Sequence, residues 1–290
     1  MNKKTKGILL AGGTGSRLHP TTRGASKQLL PVYNKPMVYY PLSCLMFSDV
    51  RDVLIITTPE DQASFKRLLG DGSWLGMNFT YTIQEKPDGI AQAFLLGEKF
   101  IGNDRVALAL GDNIFFGHGL PEEFQNASKE NVGATIFAYE VSDPERYGVV
   151  SFDKDGQPEA IVEKPKNFLS RWAVTGFYFY DSSVVDVTKA LKPSPRGELE
   201  ISDVNQVYLK NKDLSVAKLG RGTAWLDTGT FHSMLQASVF VESIEERQGL
   251  MVACLEEIAF AKGYITKDQL YKMGEAMNKN PYGQYLLRLC

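Results

Sequence analysis

Residues Gly7–Val32 read GILLAGGTGSRLHPTTRGASKQLLPV. The run opens with Ile8–Ala11, an apolar segment of strand length and too short for a helix. It then breaks into Gly12-Gly13-Thr14-Gly15-Ser16-Arg17. Three glycines in four residues let the backbone turn tightly and come close to a ligand. The N–H groups of such a turn form a concavity that attracts anions. Arg17 adds a planar, permanently charged fork suited to phosphate oxygens. Lys27 and Gln28 follow, a point charge and an amide that could reach the same anion or its attached base. Strand, glycine loop, Arg and Lys together point to a polyphosphate site. On its own, the loop could be no more than a tight strand–helix turn. Two familiar phosphate motifs are excluded. A Walker loop carries Lys and Ser/Thr directly after its last glycine, where this chain has Ser16-Arg17. The dinucleotide fingerprint needs a third glycine where Leu18 stands.

Strand and helix signals alternate along the first half. Candidate strands are Gly7–Ala11, Val53–Thr57, Thr80–Gln84 and Val106–Leu110, with helical stretches at Met37–Phe47, Asp61–Leu69 and Ile90–Phe100 between them. This order predicts an α/β fold with a mostly parallel sheet and helices on both faces. Ligands of such sheets lie beyond the carboxyl ends of the strands. Gly12–Arg17 and Asp112-Asn113 both fall there. The middle reads as strands at Gly133–Val141, Tyr147–Phe152, Ala160–Glu163 and Val174–Tyr180, with Asp155-Gly156 as a hairpin turn. A helix is expected at Ile201–Lys210, then strands at Leu214–Leu219 and Thr223–Leu226. From Thr230 the pattern is helical, broken near Arg247–Gly249, with helices at Leu255–Ala261, Lys267–Met277 and Gly283–Leu289. There are no internal repeats and no low-complexity segments.

The chain has 290 residues, 43% hydrophobic and 23% charged, with a formal net charge of −2. That balance is ordinary for a globular protein, and the net charge argues against a nucleic-acid surface. No stretch approaches the roughly 20 apolar residues of a membrane span. Lys3, Lys4 and Lys6 before an apolar run have the order of a signal peptide, but Ile8–Ala11 falls short of the roughly 7–15 residues required. Cys44, Cys254 and Cys290 are odd in number and scattered, which predicts a reducing compartment and no disulfide framework. The expected location is the cytoplasm. His19, His118 and His232 are equally dispersed, and give little support to a His-based metal site or triad.

The opening motifs, Leu10–Gly13, Gly15–Leu18 and Lys27–Val32, resemble those of the sugar-nucleotide pyrophosphorylases, which join a nucleoside triphosphate to a sugar 1-phosphate. The resemblance continues through Lys86-Pro87-Asp88-Gly89, Leu110-Gly111-Asp112-Asn113, Asp143–Val150, Glu163–Pro165 and Trp225–Thr230, and covers nearly the whole chain. It is strongest to the branch acting on dTTP and glucose 1-phosphate; UTP or another sugar 1-phosphate is the alternative. An inert nucleotide-binding regulator is disfavoured because the charged motif residues are intact. The resemblance implies a Rossmann-like, mostly parallel mixed sheet of the glycosyltransferase-A kind. Residues 1–240 would form the nucleotidyltransferase domain, its nucleotide part about 1–130 and its sugar part about 131–240. Residues 241–290 would form a helical appendage of the same globule.

The implied reaction is attack of the sugar phosphate on the nucleotide α-phosphorus. A phosphate monoester has a second pKa near 6 and is ionised at neutral pH, so the nucleophile needs no general base. Positioning and charge neutralisation carry such chemistry. Asp112 and Asp227, each after a short strand, are the candidate Mg²⁺ ligands, since two carboxylates plus substrate phosphates suit that hard cation. Asp in such places also serves turns and helix caps. Arg17, Lys27 and Lys164, with the two Asp residues, are the candidate catalytic set. The nucleotide side comprises Leu10, Gly12, Gly13, Thr14, Gly15, Ser16, Arg17, Lys27, Gln28, Gln84, Pro87, Asp88, Gly89 and Asp112. Gln28, Gln84 and Gly89 would surround the base, a glutamine amide being able to read an imide edge. Relatives usually have Ser where this chain has Lys86. The sugar side comprises Asn113, Tyr147, Gly148, Glu163, Lys164, Val174 and Arg196.

The resemblance further implies a homotetramer, a dimer of dimers, inhibited by a nucleotide-sugar effector such as dTDP-rhamnose. Apolar residues of the tail, Ile244, Leu250, Val252, Leu255, Ile258 and Phe260, suit an interface. Arg221 and His118 are the candidate effector contacts. Ala261 stands where relatives often carry Arg, which would weaken effector binding.

Overall fold

A computed structural model describes residues 4–130 and 133–290; Lys3 lies outside them. In chain order the strands are β1 (Thr5–Ala11), β2 (Pro31–Val32), β3 (Lys35–Pro36), β4 (Asp52–Thr57), β5 (Asn78–Ile83), β6 (Arg105–Leu110), β7 (Asn113–Gly117), β8 (Ala134–Glu140), β9 (Gly148–Phe152), β10 (Pro158–Glu163), β11 (Trp172–Tyr180), β12 (Leu214–Leu219) and β13 (Thr223–Asp227).

Strand β1 is apolar throughout its centre because it is covered on both faces. Successive side chains alternate between faces. Leu9 and Ala11 therefore join Ile55, Ala107 and Ala109 in one core, while Ile8 joins Leu54, Ile56 and Leu108 in the other. The main sheet has nine strands in the order β10-β9-β11-β6-β1-β4-β5, with β8 against β11 and β12 against β8. Strands β4, β5 and β6 run parallel to β1. Strand β11 runs against β6, and β8 and β9 run against β11. Strand β12 follows β8 and β10 opposes β9. Only β10 and β11 thus point the other way, and the expected mostly parallel mixed sheet is the observed one.

Strand β11 is where the sheet forks, and its ladder with β8 shifts register between Val174 and Tyr178. Two ribbons lie outside the sheet, β2 with β3 and β7 with β13. The expected helix over Ile90–Phe100 is two pieces, Gln92–Leu96 and Glu98–Ile101, parted at Gly97. A side chain there would come within 2.9 Å of Ile8 Cδ1, so the glycine lets the segment lie flat on β1. Strand β7, the ribbon β2–β3 and the helices Leu120–Glu130 and Val184–Ala190 have no counterpart in the sequence reading.

The tail does not offer the surface expected of it. Val252, Leu255 and Ile258 are buried, and Ile244 and Phe260 pack against the core. Leu255, Leu270 and Leu286 share one core with Leu9 and Leu45 of the sheet layer. Of the six residues named for an interface, only Leu250 is largely exposed. The exposed apolar stripe is instead Phe231, Leu235 and Val239, spaced by four along the helix Phe231–Gln248.

Candidate active site

The glycine loop after β1 forms one wall of a cleft of about 570 Å³ beyond the carboxyl ends of β1 and β6. Gly13 and Gly15 have φ of 94° and 57°, the left-handed region that side chains rarely adopt. The loop is stitched from below. The Thr22 hydroxyl donates to Gly15 O at 2.8 Å and Gln28 Nε2 to Gly12 O at 3.2 Å. Arg17 is exposed at the cleft wall, and among the described residues it makes no hydrogen bond or ion pair, so its fork is open to a ligand.

Asp112 follows β6 at the cleft floor. Its carboxylate is paired with the Lys27 ammonium and accepts from Asn113 Nδ2 at 2.9 Å. Burial raises the Asp112 pKa, but the Lys27 charge and the hydrogen bonds from Lys27 and Asn113 outweigh it and hold it below the usual carboxylate range. Asn113 Oδ1 takes two donors, Trp225 Nε1 at 2.6 Å and Gly176 N at 3.0 Å. Gly176 must lack a side chain, because a Cβ would lie 2.5 Å from Asn113 Cγ.

Asp227 ends β13, opposite Asn113 in the β7–β13 ladder. Its Oδ1 accepts from Gly229 N at 2.6 Å, and its Oδ2 accepts from Arg146 Nη2 at 3.2 Å and the Tyr147 hydroxyl at 3.5 Å. Burial, then the Asp227 charge, push the Tyr147 phenol up to about 12, so it stays a neutral donor. Both acidic candidates therefore sit in one cleft, each facing a cation.

The opposite wall is polar. Glu163 Oε2 accepts from the Ser202 hydroxyl at 2.7 Å, and its Oε1 lies 3.6 Å from Lys164 Nζ and 3.5 Å from Arg196 Nη2. Lys164 holds a φ of 43°, strained for a residue with a side chain. The Pro87–Gly89 turn touches the sugar-side segment. Leu199 N donates to Asp88 O at 2.7 Å, and a Cβ on Gly89 would meet Leu199 O at 2.3 Å. The segments that carry Gly89 and Glu198, both in the cleft lining, are thus fastened to each other.

Of the nucleotide-side candidates, Leu10, Gly12–Arg17, Lys27, Gln84, Pro87, Gly89 and Asp112 line this cleft; of the sugar-side ones, Asn113, Tyr147, Gly148, Glu163, Lys164 and Val174 do. Three candidates do not. Gln28 is buried under the loop, its Oε1 taking the Ser26 hydroxyl and its Nε2 donating to Gly12 O, so it braces the loop from below. Asp88 is exposed and directs its carboxylate to Gln92. Arg196 forms a bidentate pair with Glu200 at 2.9 Å and reaches the cleft through two lining carboxylates, Glu163 at 3.5 Å and Glu198 at 3.6 Å. Lys86 is exposed, as a departure of little consequence would be. Arg221 and His118 are exposed near the other end of the β7–β13 ribbon. Sequence reasoning passed over Arg146, Ser202, Trp225 and Gly229, all in the cleft lining. Arg146 stood inside the Asp143–Val150 motif, the one signal that could have found it.

Among the described residues no group of three or more His, Cys, Asp or Glu forms a protein-only metal cage. The donor set nevertheless fits a hard divalent cation. Asp112 and Asp227 supply oxygens, both already attract a positive group, and a ligand's phosphates can complete the shell.

Comparison with known proteins agrees with this geometry. Residues 6–244 match the nucleotidyl transferase family profile, and the chain belongs to that family. Such enzymes generally need a divalent metal. Over 284 residues the chain is 57% identical to the glucose-1-phosphate thymidylyltransferase of Neisseria meningitidis, covering 98% of this chain and 99% of that one. The thymidylyltransferase of Mycolicibacterium smegmatis is also 57% identical over 284 residues, with 98% of each chain covered. A solved Bacillus anthracis structure, assigned as a glucose-1-phosphate thymidylyltransferase in complex with sucrose, is 45% identical with a TM-score of 0.74, covering 81% of this chain and 94% of that one. Within its family this chain groups with the glucose-1-phosphate thymidylyltransferases.

Proposed function

We propose that the protein forms dTDP-glucose and pyrophosphate from dTTP and α-D-glucose 1-phosphate with Mg²⁺, the first step toward dTDP-rhamnose or a related deoxysugar. A sugar-phosphate oxygen bonds to the α-phosphorus as the bond from that phosphorus to the bridging oxygen breaks, and the electron pair leaves with pyrophosphate. The observation that carries this reading is two carboxylates, an open Arg17 and a glycine loop in one cleft, with no Cys or His among the lining residues.

The backbone N–H groups of Gly12–Ser16 cradle the triphosphate, and Arg17 and Lys27 meet the charge that grows at the reacting phosphorus. Asp112 and Asp227 would hold Mg²⁺, which when bound neutralises phosphate charge. Gln84, Pro87 and Gly89 frame the base. Glu163 accepts from hexose hydroxyls and Lys164 holds the sugar phosphate, with Asn113, Tyr147, Gly148 and Val174 around the ring. Pyrophosphate release across four nucleotides and several sugar 1-phosphates tests the assignment. We expect dTTP to exceed UTP modestly, since one methyl is worth about 1–3 kcal/mol, and purines to fail. Equal use of ATP or GTP would overturn it, and a preference for UTP or another sugar phosphate would select the alternative substrate.

We read the enzyme as a cytoplasmic homotetramer, a dimer of dimers, regulated by a nucleotide sugar such as dTDP-rhamnose through Arg221 and His118. Among the described residues no helix is long and apolar enough to cross a membrane. The exposed stripe Phe231, Leu235 and Val239 supports association. Light scattering of wild type and Leu235→Glu tests the assembly, and a monomeric wild type would defeat it. Inhibition by dTDP-rhamnose that is competitive with dTTP and unaltered by Arg221→Ala would defeat the second site.

A further inference from the structure

We infer that Gln92, outside the cleft lining, is a positioning residue that fixes the polarity of the Gln84 amide, so that the cleft presents the base with an acceptor and no donor there. The inference rests on the nucleotide reading above and adds how the base is chosen.

The argument starts at Asp88. Its Oδ2 accepts from Gln92 Nε2 at 3.1 Å. A carboxylate offers only acceptors, so the nitrogen end of Gln92 must face it. The oxygen end of Gln92 then faces Gln84, where Oε1 accepts from Gln84 Nε2 at 2.6 Å. That same Gln84 nitrogen has Gly89 O at 3.5 Å as a second acceptor. Turning the Gln84 amide over would set its oxygen against two acceptor oxygens and leave both without a donor. One carboxylate therefore orients two amides in series. Gln84 is itself buried, 6% exposed, so water does not readily replace a lost partner.

The free end of the relay is Gln84 Oε1. Among the described residues nothing donates to it. It lies against Gly12, where a Cβ would come within 2.5 Å and cover it. Gly12 thus keeps the acceptor open, a role separate from phosphate binding. A base whose Watson–Crick edge meets this oxygen must bring a donor. The imide N–H of thymine or uracil is one. Cytosine has an amino donor at the neighbouring position, but seated in the same register its ring nitrogen presents a lone pair and would face oxygen with no hydrogen between. The relay accordingly selects imide pyrimidines against cytosine and is silent on the thymine methyl.

The test is calorimetric binding of dTDP and dCDP, with Mg²⁺, to the full-length wild type, Gln92→Glu and Gln92→Lys. The Glu variant keeps an acceptor toward Gln84 Nε2. The Lys variant puts a donor there and drives the amide over. We expect wild type and Gln92→Glu to favour dTDP by about tenfold or more, and Gln92→Lys to lower that ratio by about tenfold or more. Thermal melts and unchanged binding of pyrophosphate check that the Lys variant is folded. An unaltered ratio in Gln92→Lys, or an equal loss in both variants, would overturn the inference, as would a wild type that binds dCDP as tightly as dTDP. Tight, selective dTDP binding that Gln92→Lys alone relaxes, with no pyrophosphate release from dTTP and glucose 1-phosphate, would overturn the proposed reaction and uphold the relay.

Discussion

Asp227 stands directly across the β7–β13 ladder from Asn113, the residue after Asp112. Thr228 reinforces the pairing, its N–H and hydroxyl reaching Asp112 O at 3.3 and 2.8 Å. The two carboxylates are therefore placed by backbone, and their side chains can be changed without unmaking the ribbon.

Asp112→Asn and Asp227→Asn should each lower kcat by about 10²–10³ with the fold retained. Turnover at limiting Mg²⁺, alongside circular dichroism, checks this. Near-wild-type turnover in either variant would sink its assignment as a metal ligand.

Arg17 has no partner to lose among the described residues, so Arg17→Ala should be neutral for stability. It should lower kcat by about 10²-fold while changing KM for dTTP little, because its fork meets charge that grows in the transition state. Arg17→Lys should rescue poorly, a point charge lacking the bidentate geometry. A raised KM with unchanged kcat would make Arg17 a binding residue only.

Lys35 and Glu245 form a buried ion pair at 2.6 Å, their side chains 1% and 6% exposed, that ties the β2–β3 ribbon to the helix Phe231–Gln248. Asn34 Nδ2 and Val252 N also donate to Glu245, at 2.6 and 2.9 Å. Lys35→Met should destabilise by about 3–5 kcal/mol, since it leaves a buried carboxylate without its counter-ion. The double variant Lys35→Met/Glu245→Leu should recover part of that loss. Urea unfolding measures both; a loss below about 1 kcal/mol in the single variant would mean the pair behaves as an exposed one.

Glu256 is 4% exposed, and burial raises its pKa against the opposing hydrogen bond from Tyr282 at 2.6 Å. Cys254, Lys35 and Tyr39 are its other titratable neighbours. With the folded pKa raised, its contribution to stability is complete below the ordinary carboxylate range and is lost as pH rises through the raised value. Glu257, held by Tyr285, is shifted the same way. Glu256→Gln should flatten the decline of unfolding free energy with pH across that window and leave the protein more stable than wild type at pH 8. An unchanged slope would show that Glu256 ionises freely.

Much of the site was legible because its signals are local. Gly13 and Gly15 announce a turn that needs positive φ, and Asp112 and Asp227 announce strand ends. Arg146 was missed because an exposed arginine reads as a solvated charge until the fold brings it to Asp227. Gln28 was misplaced for the converse reason. Its nearness in sequence to Lys27 implied a shared ligand, but the short helix at Lys27–Leu29 turns it beneath the loop. The tail's apolar residues were recognised, but periodicity reports that a face is covered and not by what.

The chain by itself determined the strand and helix segments, the glycine loop and the mostly parallel α/β class, because turn chemistry and apolar periodicity act over a few residues. Tertiary structure alone decided which distant groups meet: Asn113 with Trp225, Arg146 with Asp227, Gln84 with Gln92, and the tail with the core. These contacts depend on strand order, ladder register and the tilt of packed helices, which no short window of sequence encodes.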